Sequence, residues 1–335
     1  MIKKITYKTV ATFLLLSFAW QASAQDMQFA QYYSAPLYLN PAFTGANVCG
    51  RLSTNVRNQW PSIPGGYVSE MVSFDHYLVN NGVGLGVLFT NDRAGSGRLR
   101  STGVYGSFAY ELVVNRNLGF RFGMQGGIIN RSVNFYDLLF GDQIARGNAS
   151  ISIENPAQAV TIADFNTGML VFSKKYWAGM SFHHITNPNE SLLGAESRLP
   201  MKFSLHGGTK ILVSGDADDS KTTRYISPTF NLRSQAKFDQ LDIGCYLTRD
   251  KLNIGLWYRG IPLFKAYQKG YPNNDAIVVI AGVTLDRFNI GYSYDHTISW
   301  LRGLTGGAHE LSLSYQFCKM KKRKRKAFPV ECPKF

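Results

Sequence analysis

The sequence has little charge and no apolar run long enough to cross a membrane as a helix. Asp, Glu, Lys and Arg make up 17% of its 335 residues, whereas soluble domains average about 25%. After the N-terminal segment, the longest apolar run, residues 276–285, is about half the length of a spanning helix. These shortages argue against a coiled coil, a disordered chain and a helical membrane protein. Aromatic residues (13%) and glycine (32 residues) are plentiful instead, which is typical of a transmembrane β-barrel.

The patterns of metal and catalytic sites are also missing. The four cysteines are far apart, with neither a CxxC pair nor Cys/His spacing, and the sequence leaves open whether any two form a disulfide; they are Cys49, Cys245, Cys318 and Cys332. No GxSxG motif marks a serine nucleophile, and His183-His184 is more typical of a solvated barrel rim. We therefore predict that the protein is not an enzyme and has no catalytic residue, no cofactor and no bound metal.

The N-terminus has the three parts of a secretory signal peptide. Three lysines precede an apolar stretch at residues 10–20, which is too short to span a bilayer. Ala22-Ser23-Ala24 then fits a signal-peptidase site and leaves Gln25 as the first residue. We therefore expect residues 1–24 to be a cleaved signal peptide and the mature chain to be exported.

Strict alternation of apolar and polar residues predicts amphipathic strands. In residues 288–295, aromatic and aliphatic side chains alternate with Asn, Gly, Ser and Asp, and the same period of two recurs in residues 82–89, 241–247 and 310–317. In a barrel the apolar set faces lipid and the small or polar set faces the lumen. Tyr292 is thus predicted to face lipid and Ser293 the lumen, so that Tyr292→Lys should be costly and Ser293→Lys mild.

About fourteen such segments occur between residues 51 and 318, and we predict an all-β, antiparallel transmembrane barrel of about 14 strands. Short links mostly follow the even segments and longer links the odd ones, which is the outer-membrane pattern of periplasmic turns and external loops. The links at residues 214–222 and 237–238 break this pattern. An even strand count places both chain termini in the periplasm. The alternative is an exported β-sandwich or propeller, which would usually carry more surface Lys and Glu.

Residues 25–50 precede the first strand and do not alternate. They hold Pro36, Pro41 and Gly45 together with several aromatic residues, a composition too polar for lipid and too apolar for a free linker. We expect them to fold into the lumen as a plug, and the alternative is a linker packed on the barrel rim. Asn40-Pro41 favours a turn, and Gly45 allows a positive φ.

Residues 319–335 follow the last strand as a basic tail that we expect to lie in the periplasm. Seven of eight positions are positively charged: Lys319, Lys321, Lys322, Arg323, Lys324, Arg325 and Lys326. The tail is either a solvated end of the chain or a docking segment for anionic periplasmic partners. Nucleic acid is not an expected partner, because an exported protein has little access to it.

Several short motifs follow one another along the mature chain: QFAQYY at 28–33, PLYLNPAFTG at 36–45, RNQW at 57–60, SFD at 73–75, NDxxG at 91–95, Tyr110, DQI at 142–144, GAHE at 307–310 and CPKF at 332–335. Their order and spacing give the chain a resemblance to the PorP/SprF family of type IX secretion system outer-membrane proteins. It implies a component of the machine that exports proteins across the outer membrane. Its expected partners are the lipid bilayer, a large secreted surface adhesin (including gliding adhesins) and other components of the machinery.

Two functional hypotheses follow. The first is a secretion-system barrel that supports the display of a large adhesin, with partner-binding residues in the two flanking segments: Gln31, Tyr32, Asn40, Pro41, Gly45 and the seven basic residues of the tail. The second is a plugged outer-membrane transporter or porin for small or apolar solutes. Conductance in a reconstituted bilayer distinguishes them, because a porin conducts and a plugged scaffold does not.

Overall fold

The computed structural model describes the chain from Asp26 to Phe317 with several gaps. The described residues are 26–47, 49–78, 81–95, 99–115, 117–134, 138, 141–147, 159–192, 196–215, 223–261, 266–268 and 271–317. The predicted signal peptide and the predicted basic tail both lie outside these residues. None of the described helices is long and apolar enough to cross a membrane.

The structure describes seventeen strands, and all but two of them belong to one closed antiparallel barrel. They are β1 (Arg51–Gln59), β2 (Tyr67–Leu78), β3 (Val83–Ala94), β4 (Leu99–Asn115), β5 (Leu118–Ser132), β6 (Ala159–Phe172), β7 (Tyr176–His183), β8 (Lys202–Thr209), β9 (Ile211–Ser214), β10 (Arg224–Gln235), β11 (Phe238–Arg249), β12 (Leu252–Gly260), β13 (Ala266–Gln268), β14 (Tyr271–Pro272), β15 (Asn274–Leu285), β16 (Phe288–Thr297) and β17 (Ala308–Gln316). β8 and β9 are two parts of one barrel strand, both paired with β10. β13 and β14 form a separate two-stranded ribbon.

The barrel therefore has the fourteen strands that the sequence predicts, and its first and last strands close it. β1 pairs with β17 from Arg51 opposite Gln316 to Gln59 opposite Ala308. Closure removes the two open edges, which is required of a sheet that spans lipid. The two ends of the barrel differ. The short-turn end is where β1 begins and β17 ends, and the long-loop end carries the links 133–158, 184–201, 261–273 and 298–307.

Most barrel strands present apolar residues outward and small or polar residues inward, as the period of two predicts; on β15, however, the inward residues Val278 and Ile280 are also apolar. Leu256 on β12 and Val87 on β3 are 60% and 57% exposed on the outer face, whereas Asn55 on β1 is fully buried on the inner face. Tyr292 and Ser293 take the predicted faces, with exposures of 46% and 0%. Such a band of outward apolar side chains suits lipid and would be unfavourable in water.

Ahead of β1, residues 26–47 contain only short helical turns: Tyr32–Ser34, Pro36–Leu39 and Pro41–Phe43. Proline stands at the start of the last two, where its missing N–H costs nothing. Asn40 ends one turn and starts the next, and its Oδ1 accepts a hydrogen bond from the Ala42 N–H at 2.9 Å. Cys49 follows these turns and is disulfide-bonded, whereas Cys245 is free.

Candidate functional site: the segment inside the barrel

Residues 26–47, called the lumen segment below, lie inside the barrel. Most of their side chains are buried, and Ala35, Leu37, Ala42 and Thr44 are fully so. The segment contacts inward-facing residues from strands all round the wall. Among these are Arg121 on β5, His206 on β8, Trp257 on β12 and Glu310 on β17.

Gln31 attaches the first part of the lumen segment to β16 and β17. The backbone N–H groups of Ala30 and Gln31 donate to the Glu310 carboxylate at 2.6 and 3.2 Å. The Gln31 side-chain amide donates to the Glu310 carbonyl at 3.1 Å and to Ser293 Oγ at 3.4 Å, and it accepts from Ser312 Oγ at 2.7 Å. The expectation of a mild Ser293→Lys change is therefore wrong, because the lumen at Ser293 is filled and a lysine there would meet Gln31.

Tyr32 and its neighbour Tyr33 pack among aromatic residues of the wall. The Tyr32 ring meets Trp257 edge-on, with 5.1 Å between ring centroids, and Trp177 Nε1 donates to the Tyr33 hydroxyl at 2.8 Å. The aromatic contacts add specific geometry to the area that this part of the segment buries.

Asn40 reaches the backbone of the barrel wall. Its Nδ2 donates to the carbonyl oxygens of Met169 on β6 and Met180 on β7, at 3.1 and 3.0 Å. Two inward-facing glycines make room for it. A Cβ at Gly168 would lie 2.0 Å from Asn40 Oδ1, and one at Gly179 would lie 3.0 Å from Asn40 Nδ2. Any other residue at Gly168 would push Asn40 off the wall.

The last part of the segment is held by Arg121 and Asp75. Arg121 donates to the carbonyl oxygens of Ala42 and Thr44 at 3.0 and 2.5 Å, and it forms a buried ion pair with Glu111. Asp75 accepts from the Gly45 N–H at 2.8 Å. Gly45 has a φ of +67°, as the sequence suggested, and a Cβ there would lie 2.6 Å from Gly84 Cα.

A chain of alternating buried charges crosses the inner wall beside the segment. Asp295 accepts from Arg57 and from Arg259, each at 2.7 Å. Asp242 accepts from the same Arg259 at 2.8 Å and from Arg233 at 2.5 Å. Each carboxylate thus has two guanidinium partners, which offsets the cost of burying the charges.

A second charged cluster holds the N-terminal end of the segment at the long-loop end. Asp26 lies 2.6 Å from Lys202 Nζ and 2.8 Å from His184 Nε2, and the other ring nitrogen of His184 is 3.0 Å from Asp164. Burial alone lowers the pKa of His184, but Asp26 and Asp164 outweigh it and raise the pKa to about 9. Burial opposes ionisation of Asp26, yet His184 and Lys202 hold its pKa well below the usual range.

These contacts show the course of the lumen segment. Asp26 lies near the ends of β7 and β10 and the start of β8, at the long-loop end, whereas Gly45 lies beside Asp75 toward the short-turn end. The segment therefore traverses the lumen from the long-loop end toward the short-turn end before β1 starts. That both termini of the chain lie in the periplasm stays a prediction.

The His184 cluster should be sensitive to pH, because its ion pairs need a protonated His184 and ionised carboxylates at Asp26 and Asp164. The contribution of His184 is fully present below its unfolded pKa of about 6.5 and is lost as the pH rises through about 9. We expect the temperature at which the barrel unfolds in detergent to fall between pH 7 and 10. The effect should be on the order of 3 kcal/mol at most.

His184→Gln should lower the unfolding temperature at pH 7 and largely remove this dependence on pH. The measurement is the temperature at which the folded band disappears on a gel. His296→Gln, at an exposed outward position on β16, is the control and should behave as the unchanged protein does. An unchanged pH dependence in His184→Gln would contradict the role of the cluster.

The structure thus brings five of the predicted site residues together inside the barrel: Gln31, Tyr32, Asn40, Pro41 and Gly45. That they bind a partner protein stays a prediction. The other seven, from Lys319 to Lys326, lie outside the described residues. Sequence reasoning missed Arg121, Glu111 and the Arg57–Asp295 pair. Their signal was present, since each is a charged residue at an inward position of an alternating strand.

Within the described parts of the chain, no group of three or more His, Cys, Asp or Glu residues is arranged to hold a metal ion. The buried carboxylates and the histidine of the Asp26 cluster have ion-pair partners within the protein instead.

Residues 21–315 match the family described as type IX secretion system membrane protein PorP/SprF. The chain belongs to that family. The match includes the lumen segment and all fourteen barrel strands except the last residue of β17. Family and fold together make the protein an outer-membrane β-barrel of the type IX secretion system. No curated protein matches the sequence.

Several solved structures are similar to the PorP/SprF chain at low identity. The toluene transporter TbuX of Ralstonia pickettii is 11% identical, with a TM-score of 0.48, over 85% of this chain and 94% of TbuX. The outer membrane protein Omp33 of Acinetobacter baumannii is 9% identical, with a TM-score of 0.42, over 82% of this chain and all of Omp33. BamA of Haemophilus ducreyi, lacking POTRA domains 1–3, is 9% identical, with a TM-score of 0.40, over 81% and 71% of the two chains.

Proposed function

We propose that this barrel is a closed scaffold of the type IX secretion system that supports the secretion and surface display of a large adhesin. In this role it binds other proteins at its two ends and does not conduct solutes through its lumen. The short-turn end, with the start of β1 and the end of β17, faces the periplasm, and the long-loop end faces the outside.

The observation that carries the proposal is the lumen segment. It is joined to the wall by hydrogen bonds on β5, β6, β7 and β17, and at several inward glycines it lies so close to the wall that a Cβ there would overlap its atoms. A barrel of fourteen strands is wide enough for a channel. Here that space holds the protein's own chain, and this favours a scaffold over a porin.

The basic tail is the proposed docking segment on the periplasmic side. Seven like charges in eight positions repel one another, so an anionic partner that neutralises them is the expected ligand of the tail. The lumen segment contributes by fixing the shape of the barrel beneath the surfaces that contact the adhesin. Gln31, Asn40 and Gly45 would then affect partner binding through the wall and not by direct contact.

Deletion of residues 320–335 should leave the barrel assembled and reduce adhesin display. The deletion keeps the aromatic residue Phe317 at the end of the last strand, which supports assembly, but it removes most of the basic residues. The measurement is surface labelling of the adhesin in cells, with the barrel level checked by blot and co-purified proteins identified after gentle detergent extraction.

A chain that keeps its length but has Gln at the seven basic positions is the matched variant for charge. It should lose adhesin display as the deletion does. Normal display at a normal barrel level in both variants would refute the docking role of the tail. Conductance of the unchanged protein in a planar bilayer would instead favour the transporter.

A further inference from the structure

Two arginines face each other on the outer surface of the barrel near the long-loop end. Arg93 on β3 is the direct cross-strand partner of Arg100 on β4. Both side chains are exposed, and both lie on the outward face of their strands. Side chains at directly opposite positions have Cβ atoms about 5 Å apart, and like charges placed there are destabilising. Within the described parts of the chain, no acidic group forms an ion pair with either arginine.

Among the described residues, Glu70, a carboxylate on the same face, forms no ion pair with either arginine. Glu70 on β2 is also outward, but it accepts a hydrogen bond from Asn91 at 3.0 Å. The residue opposite Arg93 on β2 is Val68. The arginine pair therefore presents an excess of positive charge and guanidinium donors to whatever surrounds the barrel at this height.

The pair lies at the edge of the apolar band. Phe89 lies four residues from Arg93 toward the middle of β3 and is 43% exposed. Val104 lies four residues from Arg100 toward the middle of β4 and is 52% exposed. What surrounds these side chains is lipid, so the arginines lie at the level where the hydrocarbon gives way to headgroups. Guanidinium groups bind phosphate with two parallel hydrogen bonds, and an interface of low polarity strengthens such bonds.

The opposite rim has the same arrangement. Arg224 on β10 is the direct partner of Arg249 on β11, and both are exposed. Between Arg249 and Asp239 on β11, the outward residues include Leu247 and Ile243, both exposed to lipid. The ten residue steps from Asp239 to Arg249 rise about 3.4 Å each along β11. In a strand tilted by about 40° they span about 26 Å along the membrane normal, which is close to the height of the apolar band in such barrels. The pair of Arg224 and Arg249 therefore lies at the short-turn edge of the band.

We propose that Arg93 and Arg100 form a binding site for a phosphate group of a lipid headgroup in the leaflet at the long-loop end. The lipid places its phosphate between the two guanidinium groups and its acyl chains along Phe89 and Val104. The phosphate neutralises two charges that otherwise repel each other. Because the long-loop end faces outward in the proposed orientation, the ligand is a phosphorylated lipid of the outer leaflet.

The test uses the full-length barrel in detergent and lipid A as the probe. Lipid A, with its phosphate groups or with these removed, is titrated into the protein, and bound lipid is counted by native mass spectrometry. We expect the unchanged protein to prefer the phosphorylated form by about tenfold. The double variant R93Q/R100Q should lose this preference, whereas R93K/R100K, which keeps the charge, should keep part of it.

The matched control is R198Q/R302Q. It removes two positive charges from loops at the same end of the barrel but away from the apolar band, and it should keep the preference. If R93Q/R100Q fails to assemble, the single variants Arg93→Gln and Arg100→Gln carry the same test. The proposal is overturned if the preference survives in the glutamine variants or is lost equally in the control.

Discussion

Replacing Leu256 by lysine should prevent most of the protein from assembling as a folded barrel. Leu256 is 60% exposed on the outward face in the middle of β12, between Cys245 on one neighbouring strand and Val279 on the other. A lysine there places an ammonium group in hydrocarbon, at a cost of about 2–4 kcal/mol near the midplane. Since folded proteins are stable by only about 5–15 kcal/mol, that is a large share of the total.

The measurement is the fraction of protein that migrates as a folded barrel on an unheated gel, together with the unfolding temperature of that fraction. Leu304→Lys is the control, because Leu304 is 67% exposed but lies in the loop between β16 and β17, beyond the strand ends. It should assemble normally. Equal assembly of the two variants would mean that the outward face of β12 does not contact lipid.

Replacing Gly123 by valine should displace the lumen segment. Gly123 faces inward on β5, and a Cβ there would lie 2.2 Å from both the Ala42 nitrogen and the Pro41 carbonyl carbon. These are backbone atoms, so no flexible side chain can move aside and the whole segment must shift. Overpacking of this kind costs about 1–3 kcal/mol even where side chains can adjust, and more where backbone must move.

The variant should conduct in a planar bilayer, where the unchanged protein should not, and its lumen segment should become sensitive to protease. Gly106→Val is the control. Gly106 lies on β4, and the nearest atom to a Cβ there is 4.0 Å away, so valine meets open space. If Gly123→Val stops assembly, Gly84→Ala is the second variant, since its Cβ would lie 2.0 Å from the Thr44 oxygen. A protein that stays closed and fully stable with Gly123→Val would contradict the packing of the segment.

Gly123 also illustrates what a sequence cannot reveal. Glycine at an inward strand position is compatible with an open lumen, a bulge or close packing. Only the position of Pro41 and Ala42 against it shows that close packing is the reason. The sequence likewise indicated that Asn40 forms a turn with Pro41. It did not reveal the hydrogen bonds of Asn40 to the carbonyl oxygens of Met169 and Met180, which are 129 and 140 positions away.

Charged residues show the same division. The alternation around Glu310 correctly places its side chain inward. The residues next to Glu310 do not show, however, that its carboxylate accepts hydrogen bonds from the N–H groups of Ala30 and Gln31, about 280 residues away. The same holds for Arg121. The alternation places its side chain inward, but it donates hydrogen bonds to the carbonyl oxygens of Ala42 and Thr44, which are far away in the sequence. The alternation predicted polar residues on the inner face without showing what they contact. They are there because they bind the segment and one another.

The sequence by itself determined the outer half of this protein. The period of two in each strand decides which side chains meet lipid, and the turn residues between strands decide how many strands there are, because both depend on neighbours along the chain. Only the tertiary structure decided the inner half. The course of residues 26–47 through the lumen depends on hydrogen bonds and close contacts with strands that are 30 to 281 residues away in sequence. Contacts of that kind exist only once the barrel has closed around the segment.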